Sequence, residues 1–220
     1  YNYNSKRLTP AYIALRNPPN INFSETNEIS IEERKLLTPF FGNDALEIMS
    51  NRPFLGSAFL FSYIGLSQNE KERISSSLFV NYTTSGLDFI ELTTLFFKLY
   101  IDCISHNQTV DSISVVVPST FTIPQRKEVE MIVRGAGFPF SSTIDDTESI
   151  SNLYSIEKAD KITTKPKTVL FIDVGSTSIK SYCIRFSISK SDNITQATRL
   201  SYSYSNEQGG AYLTKNIVLL

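Results

Sequence analysis

The sequence predicts a mixed α/β fold, and three stretches carry that prediction. Residues 113–117 form an almost continuous apolar run that stops at Pro118, and a helical pattern follows over 123–135. A longer amphipathic pattern predicts a helix from 85 to about 105. Residues 168–186 predict two strands joined by a tight turn. Strands and helices thus follow one another along the chain, as is typical of the α/β class.

Composition sets the broad class of the protein. The chain has 220 residues, 41% of them hydrophobic, so it can bury a substantial core as one large or two small domains. Its formal net charge of −1 excludes a general electrostatic attraction to nucleic acid or to an anionic membrane. No stretch reaches the roughly 18 apolar residues of a membrane span.

Cysteine and histidine are scarce. Cys103, Cys183 and His106 are the whole supply, and their spacing fits neither a disulfide framework nor a metal site. We expect both cysteines to be plain core residues and His106 to lie at the surface near a helix end. Histidine-based catalysis therefore has almost nothing to build on.

The first third of the chain predicts short elements. Residues 11–15 are a strand candidate, and 17–38 are interpreted as loop and edge strand. A short helix is predicted from 42 to about 49, and the Pro53 segment ends it. Residues 54–65 are strongly apolar, but their period does not distinguish helix from strand.

Capping patterns mark where the predicted helices begin. Ser85 and Asp88 form a capping box for the helix that ends near 105, and Thr122 with Gln125 forms another, which puts Pro124 in the first helical turn. A further helix is predicted at about 147–155. The charged, threonine-rich residues 157–167 are the best linker candidate.

The hairpin over 168–186 has one acid at its bend. Residues 168–172 carry no charge and lead to Asp173, so we expect a buried hairpin. Gly175 lets the backbone approach a bound phosphate, and Asp173 is placed to hold Mg²⁺ through water. Three hydroxyl donors follow the glycine: Ser176, Thr177 and Ser178. The alternative is a plain hairpin whose acid only accepts hydrogen bonds from turn amides.

Several motifs in this order resemble the nucleotide-binding domain of the 70-kDa heat-shock chaperones. Residues 115–138 read VVVPSTFTIPQRKEVEMIVRGAGF, like that family's proline and glutamine-arginine segment, and 144–154 and 173–175 match two later segments. Shorter matches are Arg7 to Pro10, Phe41 to Ala45, Ile64-Gly65 and Gly209-Gly210. The resemblance spans nearly the whole chain.

The resemblance implies a ribonuclease H-like (actin-like ATPase) fold. Residues 1–160 would form lobe I without its first strands and first phosphate loop, which would precede Tyr1. Residues 161–220 would open lobe II with the second phosphate loop. The adenosine-clamping part and the peptide-binding domain would follow Leu220, so the chain is expected to be an incomplete fragment.

Site residues follow from the resemblance position by position. Asp173 matches the magnesium-site aspartate, Gly175 the first glycine of its loop, and Ser178 the hydroxyl that closes it. Asp146 matches the catalytic glutamate, one methylene shorter, and Gly209 with Gly210 matches the diglycine near the nucleotide. The departures are Phe61 at the position of a phosphate-contacting lysine, Gly175-Ser176-Thr177 for a triple glycine, and Ala211-Tyr212 after the diglycine.

The function implied is an ATP-binding chaperone that assists protein folding, with ATP or ADP and Mg²⁺ as ligands. Phe61 offers no positive charge for phosphoryl transfer, so a weak ATPase at most is expected. The Asp146 substitution and the Gly-Ser loop are more similar to the lumenal 170-kDa glucose-regulated branch, in which this domain acts largely as a nucleotide-exchange co-chaperone. A sugar or acetate kinase of the same superfamily is a distant alternative.

Location and partners follow from the same placement. Four glycosylation sequons, at Asn22, Asn81, Asn107 and Asn193, favour the endoplasmic reticulum lumen, although chance alone gives almost as many, and a cytoplasmic member stays open. Expected partners are ATP, another heat-shock chaperone, and unfolded clients bound through regions outside this chain. The alternative function is a protein-interaction module that docks on another chaperone and keeps a vestigial nucleotide pocket.

Overall fold

A computed structural model describes residues 9–16, 32, 35–84, 86–106, 108–189, 191 and 194–219. Within these ranges the chain is mixed α/β, with six α-helices and three sheets. It divides into two compact units. The first unit holds the described residues up to Ile113 together with Lys127–Ser141, and the second unit holds Ser114–Arg126 and the described residues from Ser142 onward.

The first unit contains a small antiparallel sheet. Its strands are β1 (Ile13–Arg16), β2 (Thr38–Phe41) and β3 (Gly56–Ser57), and β1 lies in the middle. The side chains of Ile13, Ala14 and Leu15 are all buried, which explains why these three positions are apolar, whereas Arg16 at the end of the strand is exposed. The strand predicted at 11–15 is confirmed with a shift of one to two residues.

The described part of the first unit also contains three α-helices. Helix α1 (Gly42–Asn51) ends before Pro53 as predicted, α2 covers Gln68–Leu78, and α3 covers Phe89–Ile104. The side chains of Leu92 and Phe96 on α3 pack against the buried residues of β1. The apolar stretch 54–65 is neither a long helix nor a strand, because it is divided between two short 3-10 turns and β3.

The capping box of α3 was predicted one turn too early. Asp88 is the N-cap, its side chain accepts from the Glu91 amide, and the Glu91 side chain accepts from the Asp88 amide. Residues 86–88 are outside the helix, so a helix beginning at Ser85 is wrong; Ser85 itself lies outside the described residues. A capping box needs Glu or Gln three residues after the N-cap. Asp88 has Glu91 at that position, whereas Ser85 has only the shorter Asp88.

The central segment supplies alternating strands and helices. Strand β4 (Ile113–Val117) and helix α4 (Ile123–Gly135) occur where they were predicted, and the Gln125 side chain accepts from the Thr122 amide. Strand β5 (Phe140–Asp145) pairs with β4 in a two-stranded sheet. Helix α5 (Asp146–Glu157) starts directly at the end of β5. A carboxylate in the first residue of α5 therefore lies at a strand end and at the positive end of a helix dipole.

The second unit is built on an antiparallel sheet of three longer strands. Strand β6 (Lys167–Val174) pairs with β7 (Ile179–Ile188), which pairs on its other side with β8 (Thr195–Ser205), and helix α6 (Gly210–Val218) follows. Tyr182, Ile184 and Phe186 of β7 form the core with buried Ile162. Tyr154 of α5 packs against Phe186, with ring centroids 4.8 Å apart.

Two predictions about domain organisation concern this region. The supposed linker at 157–167 contains a 3-10 turn, and Ile162 within it is buried in the core, so it does not separate two domains. The boundary predicted at 160 falls inside the second unit, because α5 packs on the same sheet as the residues after it.

The hairpin is confirmed, but it is not buried on both faces. Val169 and Phe171 of β6 pack on the core, whereas Leu170, Ile172 and Val174 are 62%, 66% and 65% exposed. An uninterrupted apolar run does not distinguish a strand covered on both faces from an edge strand with one bare face. No helix among the described residues is long and apolar enough to cross a bilayer.

Candidate functional site

The hairpin turn lies where the sequence placed it. Asp173 pairs with Lys180 and Val174 with Ile179 at the end of the β6–β7 ladder. Residues 175–178 form the turn, and the Gly175 amide donates to the Ser178 carbonyl oxygen over 2.9 Å. Ser176 is exposed, while Thr177 and Ser178 are half-buried.

The diglycine packs directly against this turn. Gly210 donates its amide to the Gly175 carbonyl at 3.0 Å, and the Ala211 amide donates to the Ser176 carbonyl at 2.8 Å. Gly209 has φ +144°, and a Cβ there would lie 2.7 Å from the Ser176 carbonyl oxygen. Only glycine permits this approach, and the turn carbonyls satisfy amides that helix α6 leaves open at its start.

Asp146 is the centre of a second group of polar contacts. Its Oδ1 accepts from the Ser119 amide at 3.0 Å, the Ser119 hydroxyl at 2.7 Å and the Thr147 amide at 2.8 Å. Its Oδ2 accepts from the Tyr182 hydroxyl at 2.9 Å and from Lys180 Nζ at 3.2 Å. The two oxygens thus accept five hydrogen bonds, and the side chain is only 13% exposed.

These contacts decide the protonation state of Asp146. Burial acts to raise the pKa of its carboxyl group, but the hydrogen bonds from Ser119 and Tyr182 and the Lys180 ammonium together lower it below the ordinary value. Conversely, burial and the neighbouring carboxylate raise the pKa of the Tyr182 hydroxyl. Asp146 is therefore an anion at neutral pH and Tyr182 a neutral donor.

Lys180 connects the two acids that the sequence selected. Its Nζ lies 3.2 Å from Asp146 Oδ2 and 3.6 Å from Asp173 Oδ2. Lys180 is 15% exposed, whereas Asp173 is 53% exposed. We call this group of side chains the Asp146 cluster; its members are Asp146, Lys180, Asp173, Ser119 and Tyr182. The structure thus brings both predicted acids to one place, 27 residues apart in the chain.

A magnesium ion does not fit between these two acids. Both oxygens of Asp146 are occupied by protein donors, and an ammonium already stands between the two carboxylates. A divalent ion there would need vacant oxygen ligands and would be repelled by the lysine. In the described part of the chain, moreover, no group of three His, Cys, Asp or Glu side chains is placed to hold a metal.

Three members of the cluster were not predicted from the sequence: Ser119, Lys180 and Tyr182. Lys180 and Tyr182 are two residues apart on β7, so they point to the same face, and the hairpin register puts Lys180 opposite Asp173. That alternation could have identified both residues. Ser119 gives no such signal, because its contact with Asp146 depends on the β4–β5 pairing.

The other residues considered have ordinary surroundings. Phe61, in the first unit, makes edge-to-face contacts with Phe96 and Phe97, each at 5.7 Å between ring centroids. Cys103 and Cys183 are unpaired and half-buried rather than fully in the core. His106 is exposed just beyond α3, as predicted. These residues give no sign of a second reactive site.

Comparison with known proteins does not identify a family. No protein-family model matches the chain, and no curated protein matches its sequence. The geometry of the second unit and the sequence motifs are therefore the features that bear on function.

Proposed function

We propose that this chain is the nucleotide-binding part of a molecular chaperone of the 70-kDa heat-shock type, with a ribonuclease H-like fold. One observation carries the proposal. The hairpin turn 175–178 and the diglycine, which the resemblance assigns to nucleotide binding, are in direct contact although about 30 residues separate them. The assigned acids, Asp146 and Asp173, meet at Lys180 next to the turn of the same hairpin.

The bound group would be the phosphate chain of ATP or ADP. The turn offers hydroxyl donors, and its glycine backbone permits close approach of an anion. Gly209 keeps the turn and the start of α6 together, so that a ligand would find both segments already in place.

Turnover would be slow or absent. Asp146, Asp173 and Lys180 sum to one net negative charge, whereas the transition state of phosphoryl transfer requires positive charge around its oxygens. Phe61 adds none. The activity that agrees with this charge balance is nucleotide binding without fast hydrolysis. The chain would then act as a nucleotide-exchange co-chaperone, and other regions would bind the clients.

We place the protein in the endoplasmic reticulum lumen, with the cytoplasm as the alternative. Asn81, one of the four sequons, is exposed and thus accessible to glycosylation. The other three, Asn22, Asn107 and Asn193, lie outside the described residues. Mass spectrometry of the protein purified from the cells that produce it naturally tests this placement, because a glycan at Asn81 requires passage through the lumen.

Calorimetric titration of ATP and ADP into the full chain tests the nucleotide site, with and without Mg²⁺. Gly209→Ala should weaken binding about tenfold or more, or 1.4 kcal/mol, since its Cβ would push the diglycine away from Ser176. Gly137→Ala is the matched control: it also has a positive φ, +91°, but its Cβ would meet nothing within 4 Å. Absence of binding to the unmodified chain would refute the nucleotide proposal.

A second candidate, a docking module with a vestigial pocket, is favoured by the bare apolar face of β6. Leu170, Ile172 and Val174 expose this face, and such a surface suits a protein partner. Under this candidate, the chain binds a purified lumenal 70-kDa chaperone, and Ile172→Lys abolishes that binding without affecting the fold. Retained binding by Ile172→Lys would exclude this face as the docking site.

A further inference from the structure

We propose that the Lys180 ammonium serves as the built-in cation of the Asp146 cluster and occupies the position where a divalent metal ion would otherwise bind. Lys180 Nζ lies 3.2 Å from Asp146 Oδ2 and 3.6 Å from Asp173 Oδ2. At these distances the positive charge of the ammonium interacts favourably with both carboxylates and offsets part of their mutual repulsion.

The backbone of Lys180 is fixed from both sides. It lies on the central strand β7, opposite Asp173 on β6 and opposite Tyr204 on β8. Its side chain is 15% exposed, so the ammonium has little room to leave the carboxylates for solvent. The cation is therefore built into the sheet.

Removing this charge would leave a set of hard oxygen ligands. The carboxylates of Asp146 and Asp173 would remain with two negative charges, and the hydroxyls of Tyr182 and Ser119 already contact Asp146. Oxygen donors with net negative charge are what Mg²⁺, Mn²⁺ and Ca²⁺ prefer. The lysine thus decides whether the cluster is an ion pair or a metal site.

Titration of Mn²⁺ into the full chain tests the proposal, with free Mn²⁺ followed by electron paramagnetic resonance. The unmodified chain should bind Mn²⁺ at most weakly at the cluster. Lys180→Gln keeps a hydrogen-bond donor without the charge and should bind one Mn²⁺ at least about tenfold more tightly. Lys167→Gln, which removes an exposed lysine of the same hairpin, should behave like the unmodified chain.

The double variant Asp146→Asn with Lys180→Gln should lose the gained site. Two results would overturn the proposal. One is tight Mn²⁺ binding by the unmodified chain, if Asp146→Asn or Asp173→Asn abolishes that binding. The other is a folded Lys180→Gln variant that binds Mn²⁺ no more tightly than the unmodified chain. Should Lys180→Gln fail to fold, Mn²⁺ should restore its folding, because the ion replaces the missing charge. A variant that stays unfolded in Mn²⁺ also overturns it.

Given the proposed function, nucleotide should bind without Mg²⁺, because the Lys180 ammonium already holds the position of the cation. Affinity for ADP in the presence of a chelator should then stay within about threefold of that in Mg²⁺, and a much larger dependence would contradict the inference. Absence of any nucleotide binding would refute the proposed function instead, and the Mn²⁺ experiment would still decide the role of Lys180.

Discussion

Asp146→Asn removes the charge at the centre of the cluster while keeping nearly the same shape. Asparagine has one carbonyl oxygen in place of the two oxygens that accept five hydrogen bonds. That oxygen suits the fixed amides of Ser119 and Thr147, so the NH₂ group would face Lys180 and Tyr182. The Tyr182 hydroxyl can turn to accept, but the Lys180 ammonium cannot.

The cost follows from the burial of the pair. Breaking a buried ion pair by removing one partner costs about 3–5 kcal/mol, and the cost is smaller here because Asp173 still lies 3.6 Å from Lys180. We expect Asp146→Asn to lower the free energy of unfolding by about 3 kcal/mol. Urea denaturation followed by circular dichroism measures the change.

The control is Asp173→Asn, whose carboxylate is 53% exposed. It should cost less than about 1 kcal/mol, since solvent screens an exposed charge. Equal losses for the two variants, or a loss below about 1 kcal/mol for Asp146→Asn, would refute the reasoning that burial gives Asp146 its weight.

The same variant has a predicted pH dependence. Because the folded chain lowers the pKa of Asp146, the unfolded chain binds a proton more readily, and this contribution to stability is lost as the pH falls. The difference between the unmodified chain and Asp146→Asn should be constant from pH 5 to 8 and should narrow below about pH 4. An unchanged difference at pH 3 would show that the charge is not responsible.

Three further predictions concern other parts of the structure. Burial and a neighbouring carboxylate raise the pKa of the Tyr182 hydroxyl, so its contribution to stability is lost as the pH rises above about 10. Tyr182→Phe should therefore reduce the loss of unfolding free energy in denaturation curves recorded from pH 9 to 11. Ile172→Lys should leave the unfolding free energy within about 0.5 kcal/mol and reduce light scattering on heating, whereas Thr168→Lys, at an already polar exposed site of β6, should reduce scattering less. Ser67→Ala should lower the free energy of unfolding by about 1 kcal/mol by removing the α2 cap, whereas Ser76→Ala, at an exposed position in the last turn of the same helix, should cost almost nothing.

Elements with strong local signals were predictable from the sequence. Strand β4 has five residues with a nearly continuous apolar run before Pro118, and α4 has a proline in its first turn, so both bounds were found. The hairpin was found for the same reason, since two apolar runs flank a short polar turn.

Elements that depend on distant partners were missed. Strand β8 is rich in serine, threonine and tyrosine and mostly exposed, and β5 is short and polar, so neither has an apolar period. Helix α2 has only two buried apolar residues, Ile74 and Leu78, and its clearest sequence signal is the capping box of Ser67 and Glu70. These segments are fixed by strand pairing and capping rather than by a hydrophobic pattern.

The site divides in the same way. Asp146 and Asp173 were selected from the sequence by motif resemblance, yet their relation to each other depends on Lys180, which no motif indicates. A lysine on a strand is usually a solvated residue. Only the register of the hairpin and the end of β5 show that this one is held between two acids.

The sequence separations within the Asp146 cluster bear on how the second unit folds. Asp146 bonds to residues 27, 34 and 36 positions away: Ser119, Lys180 and Tyr182. Closing such loops is slow compared with forming a helix or a hairpin, so the cluster forms only after β4, α5 and β7 have come together. The Ser119 amide should accordingly exchange its hydrogen with solvent only when the whole second unit opens, and its exchange rate is a direct reporter of that unit's global stability.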